Sequence, residues 1–383
     1  MFAALIAYVT CEMSLFCQAP RLMPTPLKNL SLVHVSVITR HGHRTPNYQF
    51  VPLEERGTWE CRSSSANNTK RIFNYLKKDA QKGSIEYLPN CMPADLTLLG
   101  EEMHKDLGAT YRKYYVDELH FLPEKFSPKL FHFESSPTRR TFLSAESFIN
   151  GLYPPTGKHE IITIASGSSK TSSINGWSSN CKLYKAQYKN YQAGPDYQQM
   201  LEEGWPMMER IAKEFQMQKT VTNMRAICSW ATAFNCTTSG NLPDYLDDKF
   251  MSFCYREQWM SKFGIYNFTT NSSVAGSPIM RRLLKDLDTA LANGQKFSLF
   301  SGHDSTIAAV LTMLGKYLKY VPTYASHLNF ELFRSNDTNE LFVRFTVNGE
   351  TFKVQPFDQV LVPYKEFRAY FNQFLNYCPE TSD

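Results

Sequence analysis

Two histidines and two arginines occur within seven consecutive residues, directly after the strand-like run 32–39. The segment reads Arg40-His41-Gly42-His43-Arg44-Thr45-Pro46. Guanidinium groups bind phosphate oxygens in pairs, and a neutral histidine nitrogen can attack phosphorus. The surrounding cations disfavour protonation of His41, so we expect its pKa to be low and the nucleophile to stay neutral at acidic pH. The segment therefore predicts a site for a phosphate ester, with Gly42 leaving room for the phosphoryl group.

A second segment with similar chemistry lies far downstream, after the short apolar run 297–300. There His303 and Asp304 precede an apolar stretch, 307–314, whose pattern predicts a helix closed by Gly315. His303 would add a donor to the phosphate, and Asp304 would give a proton to the leaving oxygen. An aspartate at this place is also typical of a helix N-cap, so that interpretation stays open.

A third segment follows the strand candidate 130–133. Ser136 suits an N-cap and Pro137 the first helical position, so the pattern predicts a helix that Gly151 stops. Arg140 then lies in the first turn, where the helix N-terminus favours an anion. We expect it to bind the same phosphate as the arginines of the first segment, although a solvated arginine on an exposed helix is the alternative.

Strand-to-helix turns that share one chemistry are typical of an open α/β sheet, whose ligands bind at the carboxyl ends of the strands. The chain resembles the histidine acid phosphatases, branch 2 of the histidine phosphatase superfamily, from about residue 30 to residue 378. The matching residues are Arg40-His41-Gly42, Arg44, Pro46, Leu96-Thr97, Gly100, Gly108, Arg112, Tyr115, Arg140-Thr141, Ser144-Ala145, Gly151, Pro154, His303-Asp304, Pro322, Tyr324-Ala325-Ser326 and Phe330-Glu331-Leu332.

The resemblance implies an α/β three-layer sandwich with a mainly parallel central sheet, of the phosphoglycerate mutase type, and a mostly helical inserted cap that shapes the pocket mouth. It also implies a metal-independent acid phosphatase that hydrolyses phosphate monoesters and uses no cofactor. His41 would become a phosphohistidine, and Asp304 would protonate the leaving alcohol. The phosphate clamp would consist of Arg40, Arg44, Arg140 and His303.

The chain departs from the family pattern at residues 134–137, where many relatives have Arg-Ser-Thr-Asp and this chain has Glu134-Ser135-Ser136-Pro137. The change removes residues that support Arg140, and Glu134 near the pocket would repel some anionic substrates. His43 occupies a position that varies in the family, so it either packs or influences the choice of leaving group.

Two other functions remain open. His41 and His43 have the spacing of a metal-ligand pair in barrel-type hydrolases, although the flanking arginines would repel a cation. Alternatively, the chain is a secreted protein of weak or no activity that binds phosphorylated or sulfated ligands. Resistance to a chelator would exclude the metal enzyme, and phosphate release would exclude the binding protein.

The chain has 383 residues, of which 43% are hydrophobic, so it can bury a large core. We expect a discontinuous catalytic core over 28–149 and 277–378, and a mostly helical insertion over 150–276 with helices over 196–218 and 244–263. The formal net charge of +5 is modest and does not indicate a nucleic-acid partner. The expected partner is a small or macromolecular phosphomonoester, and a homodimer is possible by resemblance.

The chain has nine cysteines and no Cys-x-x-Cys pair, which favours structural disulfides over a zinc or redox centre. Residues 1–18 are a possible signal peptide, too short and too polar for a confident membrane span. Its removal near residue 18 would leave seven cysteines, one of them unpaired. We predict the pair Cys61–Cys91 and, from the family resemblance, Cys181–Cys378.

Sequons that could accept glycans add to the case for a secreted protein or one of the lysosomal or vacuolar lumen. They begin at Asn29, Asn67, Asn235, Asn267, Asn271 and Asn336.

Overall fold

A computed structural model describes residues 17–46, 59–62, 71–76, 91–156, 160–168, 172–175, 181–214, 216–237, 244–265 and 273–378. The strands are β1 (Leu30–Arg40), β2 (Arg71–Leu76), β3 (Phe131–Ser135), β4 (Glu160–Ala165), β5 (Phe297–Gly302), β6 (His327–Ser335), β7 (Leu341–Val347), β8 (Glu350–Thr351) and β9 (Leu361–Pro363). The helices are α1 (Leu98–Arg112), α2 (Arg139–Leu152), α3 (Lys182–Gln192), α4 (Pro195–Glu214), α5 (Val221–Asn235), α6 (Asp248–Trp259), α7 (Ser273–Asn293), α8 (Asp304–Met313) and α9 (Tyr364–Asn372).

The strands form one central sheet in the order β2-β4-β3-β5-β1-β6-β7-β8, and β9 pairs with β7. Neighbours from β2 to β1 are parallel, whereas β6 runs antiparallel to β1 and the remaining pairs are antiparallel. The predicted α/β sandwich is confirmed. The five strands from β2 to β1 form its parallel part, and the strands after β6 are antiparallel because their connections are too short for the crossovers that parallel strands need.

The sheet is covered on both faces because its strands are apolar on both sides. Val35 and Val37 of β1 belong to a buried cluster with residues of α1 and α2. Ile38 points the other way, into a second cluster with residues of α7, α8 and α9. Alternate residues of a strand face opposite sides, so one run of β1 anchors both helical layers and holds its carboxyl end in place.

Helices α1 and α2 cross at a contact that only glycine permits. A Cβ atom on Gly151 would lie 1.9 Å from the Lys105 carbonyl oxygen, and one on Gly108 would lie 2.0 Å from that of Phe148. The prediction that Gly151 stops the helix is wrong, since α2 continues to Leu152. Gly151 serves close helix packing instead.

The predicted insertion, 150–276, does not match the structure at its start. Strand β4 lies within that range but pairs in parallel with β2 and β3 of the central sheet. The helices α3 to α6 follow it, and they include the two predicted from the sequence, at α4 and α6. A π-helical turn, Met260–Gly264, continues α6, and we call it the π turn.

Four disulfides cross-link the described part of the chain. Cys61–Cys91 and Cys181–Cys378 are formed as predicted, together with Cys228–Cys254 and Cys17–Cys236. Cleavage at residue 18 would remove Cys17, so the predicted boundary conflicts with the last pair; the rest of the signal prediction lies outside the described residues. Disulfides of this number are typical of an oxidising compartment, which indicates a lumenal or secreted protein.

The sequons differ in accessibility. Asn235 is 8% exposed, and its side-chain amide donates a hydrogen bond to the Tyr255 hydroxyl at 3.0 Å. Asn29 and Asn336 are exposed, and the remaining sequons lie outside the described residues. Of the helices in the described ranges, none has the length and apolar content to cross a membrane.

Candidate active site

The three segments singled out in the sequence meet because of the strand order. Strand β5 pairs in parallel with β1 on one side and with β3 on the other. The carboxyl ends of the three strands therefore lie side by side, and the residues that follow them share one edge of the sheet. This brings together His41, the turn that leads to Arg140, and the pair His303-Asp304.

His41 is held in one tautomer and orientation. Its side chain is buried, and Nδ1 lies 2.8 Å from the carbonyl oxygen of Gly42. A carbonyl oxygen only accepts, so Nδ1 carries the proton and donates it, which leaves the Nε2 lone pair available as a nucleophile. Burial, followed by the charges of Arg140 and Arg40, lowers the pKa of His41 well below its usual value. The predicted low pKa thus has a physical basis in the structure.

Glycine is required at residue 42 for close backbone packing, and not for the predicted space beside the phosphoryl group. A Cβ atom there would lie 2.2 Å from the carbonyl oxygen of Gly100, and a Cβ on Gly100 would lie 2.2 Å from that of His43. The segment that carries His41 therefore packs directly against the first turn of α1. This contact, rather than space for the phosphoryl group, requires glycine at both positions.

Arg40 and Arg140 each have a buried guanidinium nitrogen whose surroundings favour the binding of an anion. Among the described residues, Nε of each has no hydrogen-bond partner. Burial and the nearby charges of Arg44 and Arg40 lower the pKa of Arg140 to about 9. Cations gathered in this way repel one another, and a phosphate dianion between them would relieve the repulsion.

Tyr324 and Pro322 orient Arg40. The guanidinium carbon of Arg40 lies 4.4 Å from the centre of the Tyr324 ring, and Nη1 donates to the Pro322 carbonyl at 2.6 Å. Stacking and hydrogen bonding leave this long side chain little freedom, so the group is preorganised for a ligand.

His303 is oriented by one donor and one acceptor. Nη2 of Arg140 lies 3.4 Å from Nδ1 of His303, and Ser136 Oγ lies 2.8 Å from Nε2. An arginine only donates, so Nδ1 accepts and Nε2 carries the proton. The rings of His303 and His41 lie 5.6 Å apart, centre to centre. Ser136 is therefore the partner of His303 rather than an N-cap; α2 begins at Arg139 with Thr138 as its N-cap.

Asp304 is the first residue of α8 and not its N-cap, which is His303. Its carboxylate lies between two cations: Oδ2 is 3.5 Å from Arg40 Nη2, and Oδ1 is 3.6 Å from Lys262 Nζ. Burial alone would raise the pKa of Asp304, but the charges of Lys262, Arg40 and His303 lower it below its usual value. A bound phosphate dianion would counter these charges and make protonation of Asp304 easier.

Arg44 and His43 connect the first segment to the inserted helix α5. Arg44 Nη2 donates to Ser229 Oγ at 3.2 Å, and His43 Nε2 donates to the Ala233 carbonyl at 3.0 Å. The other His43 ring nitrogen accepts from Thr97 at 2.7 Å, and the side chain is fully buried. Both nitrogens are thus occupied, which supports the packing interpretation of His43 and disfavours a metal pair with His41.

The charge of Glu134 does not lie in the pocket, in contrast to the expectation from the sequence. Its carboxylate binds Arg282 at 2.8 Å and His132 at 3.1 Å, on the face of the sheet that packs against α7. These partners lower the pKa of Glu134 in spite of its burial. Its charge is therefore neutralised locally, and it does not repel an anion beside Arg140.

Sequence reasoning missed two residues of this site. The sequence pattern favours a helix cap at Ser136. The signal for a role in the site is its position directly after β3, since β3 is a neighbour of β5 and His303 follows β5. Lys262 comes from the π turn of the insertion, and nothing in its local sequence indicates a contact with Asp304.

The fold and the site together define a phosphatase of the histidine type. The family model of the histidine phosphatase superfamily, branch 2, matches residues 31–348, and the chain belongs to this family.

Individual relatives are distant, and the matches cover most of this chain. The chain is 26% identical over 400 residues to counting factor 60 of Dictyostelium discoideum, covering 96% of this chain and 92% of the relative. It is 28% identical over 333 residues to a probable acid phosphatase of the same organism, covering 81% and 68%. The structure of Hafnia alvei phytase in its apo form superposes with a TM-score of 0.60 at 12% identity, covering 94% of this chain and all (100%) of that one. This last similarity concerns the fold.

Proposed function

We propose that the protein is a metal-independent acid phosphatase that hydrolyses phosphate monoesters through a phosphohistidine on His41. Family membership and the relative named as a probable acid phosphatase support phosphatase activity. The finer proposal is carried by the unprotonated Nε2 of His41 beside Arg40 and Arg140, whose buried Nε atoms have no hydrogen-bond partner within the described part of the chain.

The proposed reaction has two steps. Nε2 of His41 attacks phosphorus while the bond to the leaving oxygen breaks, and Asp304 gives that oxygen its proton. Water then attacks the phosphohistidine, loses a proton to the Asp304 carboxylate, and releases phosphate. Arg40, Arg44 and Arg140 stabilise the charge on the transferred group in both steps. His303, predicted as a fourth member of this clamp, acts in the proposal by orienting Arg140, because its ring nitrogens are held by Arg140 and Ser136.

The electrostatics of the site favour activity at acidic pH. The low pKa of His41 keeps its nitrogen unprotonated as the pH falls, whereas Asp304 must hold a proton to act as an acid. Acidic conditions satisfy both requirements, and they fit the proposed location in a secreted or lysosomal compartment. Homodimer formation and the absence of a nucleic-acid partner stay predictions.

The test of the proposal uses two variants and two classes of substrate. His41→Ala should abolish turnover and the acid-labile label that the wild-type protein acquires from a labelled ester. Asp304→Asn should slow alkyl phosphates by about 10²- to 10⁴-fold and aryl phosphates far less, because only a poor leaving group needs the proton. Equal losses on both classes would remove Asp304 from the acid role.

A chelator distinguishes the remaining alternatives. Phosphate release should survive it, whereas loss of activity would favour a metal enzyme. Binding of phosphate without release from any ester would indicate a binding protein. The described residues contain no group of three or more His, Cys, Asp or Glu placed to hold a metal ion.

A further inference from the structure

Lys262 reaches the catalytic core from the inserted helices. It lies in the π turn, and its Nζ is 3.6 Å from Asp304 Oδ1 while Arg40 holds the other carboxylate oxygen at 3.5 Å. The Lys262 and Asp304 side chains are 19% and 17% exposed. The carboxylate is thus held at each oxygen by a cation, Arg40 from the carboxyl end of β1 and Lys262 from the π turn after α6.

The π turn is anchored on both sides of Lys262. Trp259 Nε1 donates to the Leu318 carbonyl at 2.9 Å, and the fully buried Phe263 packs in the core cluster beside α7 and α8. Ser261 donates to the Gln258 carbonyl at 2.9 Å. A π-helical turn is a rare geometry that recurs at functional sites, and here it directs a long cationic side chain towards the start of α8.

We propose that Lys262 is a positioning residue that holds the Asp304 carboxyl group and sets the upper pH limit of its proton donation. The proposal rests on the proposed function, because it assigns a role toward the acid of that reaction. The other charged or titratable groups that face Asp304 are Arg40 from β1, Arg140 from α2 and the neighbouring His303. Glu257 and Arg225 of the insertion lie near Lys262 itself.

The direction of the effect follows from charge. A cation close to a carboxylate stabilises the ionised form, so Lys262 restricts the protonated acid to lower pH. A bound phosphate dianion offsets Arg40 and Arg140 directly, since they form the clamp. Lys262 contacts the carboxylate from the side of the insertion, so its influence persists in the complex. Its removal should move the basic limb of proton donation upward by about one pH unit.

The experiment measures the rate of enzyme phosphorylation in single turnovers as a function of pH. Lys262→Met is compared with wild type on an alkyl ester, glycerol 2-phosphate, and on an aryl ester, 4-nitrophenyl phosphate. We expect the basic limb to move upward on the alkyl ester only, with a lower limiting rate because the carboxyl group is less well held. Lys262→Arg should restore the wild-type profile, and Lys262→Gln provides a second uncharged variant of similar length if the Met variant folds poorly.

Arg256→Met is the matched control. Arg256 is an exposed cation on α6 that pairs with the equally exposed Glu203, and neither Asp304 nor Lys262 is its partner in that ion pair. Its loss should leave both pH profiles unchanged. An unshifted limb in both uncharged Lys262 variants, equal shifts on both esters, or the same shift in Arg256→Met would overturn the proposal. Failure of the proposed function is seen separately, as a wild-type protein that forms no phosphohistidine.

Discussion

Ser136→Ala tests whether His303 must be held in one tautomer. Ser136 Oγ accepts from His303 Nε2 at 2.8 Å, in a place where the serine is fully buried and the histidine is 8% exposed. Loss of the acceptor leaves a buried N–H without a partner, which costs about 1–3 kcal/mol. It also permits the other tautomer, whose Nδ1 proton would oppose the Arg140 donor 3.4 Å away.

A cost near the lower end of that range corresponds to about a tenfold change, since about 1.4 kcal/mol is a factor of ten. We therefore expect Ser136→Ala to raise the inhibition constant of inorganic phosphate about tenfold and to lower kcat/KM by a similar factor. The assay is hydrolysis of 4-nitrophenyl phosphate with phosphate as competitive inhibitor.

Ser301→Ala is the matched control for this prediction. Ser301 is also fully buried and donates to the Thr141 carbonyl at 2.8 Å, so its loss removes a hydrogen bond of similar length in the same region. It should lower the melting temperature without weakening phosphate inhibition. Phosphate inhibition that is unchanged in Ser136→Ala, or weakened equally in the control, would refute the reasoning about His303.

Three further predictions concern stability and are checked by thermal unfolding. Gly151→Ala places a methyl group 1.9 Å from the Lys105 carbonyl oxygen, so it should destabilise by about 1–3 kcal/mol or more; an unchanged melting temperature would contradict the close helix contact. Cys17→Ser should cost about 2–5 kcal/mol through loss of the bond to Cys236, and a variant as stable as wild type would show that this disulfide does not form. Burial would raise the pKa of Asp286, but its hydrogen bonds lower it to about 2, below its value in the unfolded chain; its contribution of about 2 kcal/mol is complete above about pH 4 and lost as the pH falls towards 2. Asp286→Asn should therefore lose less stability than wild type between pH 5 and pH 2.5.

Local sequence pattern was sufficient for the elements that carry the chemistry. The strand before His41, the strand before His303 and the helix after Asp304 occur as predicted, with α8 ending beside Gly315. Apolar runs that end in glycine or polar residues leave few alternatives for short buried strands. In open α/β sheets, ligands bind at the carboxyl ends of the strands. This rule alone predicts that His41, Arg140 and the pair His303-Asp304 lie close together, even before the strand order is known.

Local sequence patterns do not predict contacts between parts of the chain that are distant in sequence. Lys262 reaches Asp304 because α6 and its π turn pack in one particular way beside α8, and no local periodicity encodes that packing. Serine before proline satisfies the rules of helix capping, so the sequence pattern predicts that Ser136 is an N-cap. In the structure the hydroxyl binds His303 instead, since β3 and β5 are neighbours and their ends face each other.

The sequence does not reveal why glycine is required at two positions of the fold. From the sequence alone, Gly151 is expected to stop a helix and Gly42 to leave space for a ligand. Both instead allow backbone segments to touch, at distances that any side chain would prevent. A sequence shows where a side chain is missing but not which neighbour occupies the space.

The position of β1 in the sheet has a consequence for biosynthesis. This strand leaves the ribosome more than 250 residues before either of its partners, since β1 ends at Arg40 and both β5 and β6 lie beyond residue 296. A nascent polypeptide therefore carries an unpaired apolar strand until β5 and β6 have been translated, and slow, non-local assembly of this kind exposes it to aggregation. We expect the protein to need chaperone protection until β6 has been translated, and to gain hydrolytic competence only then.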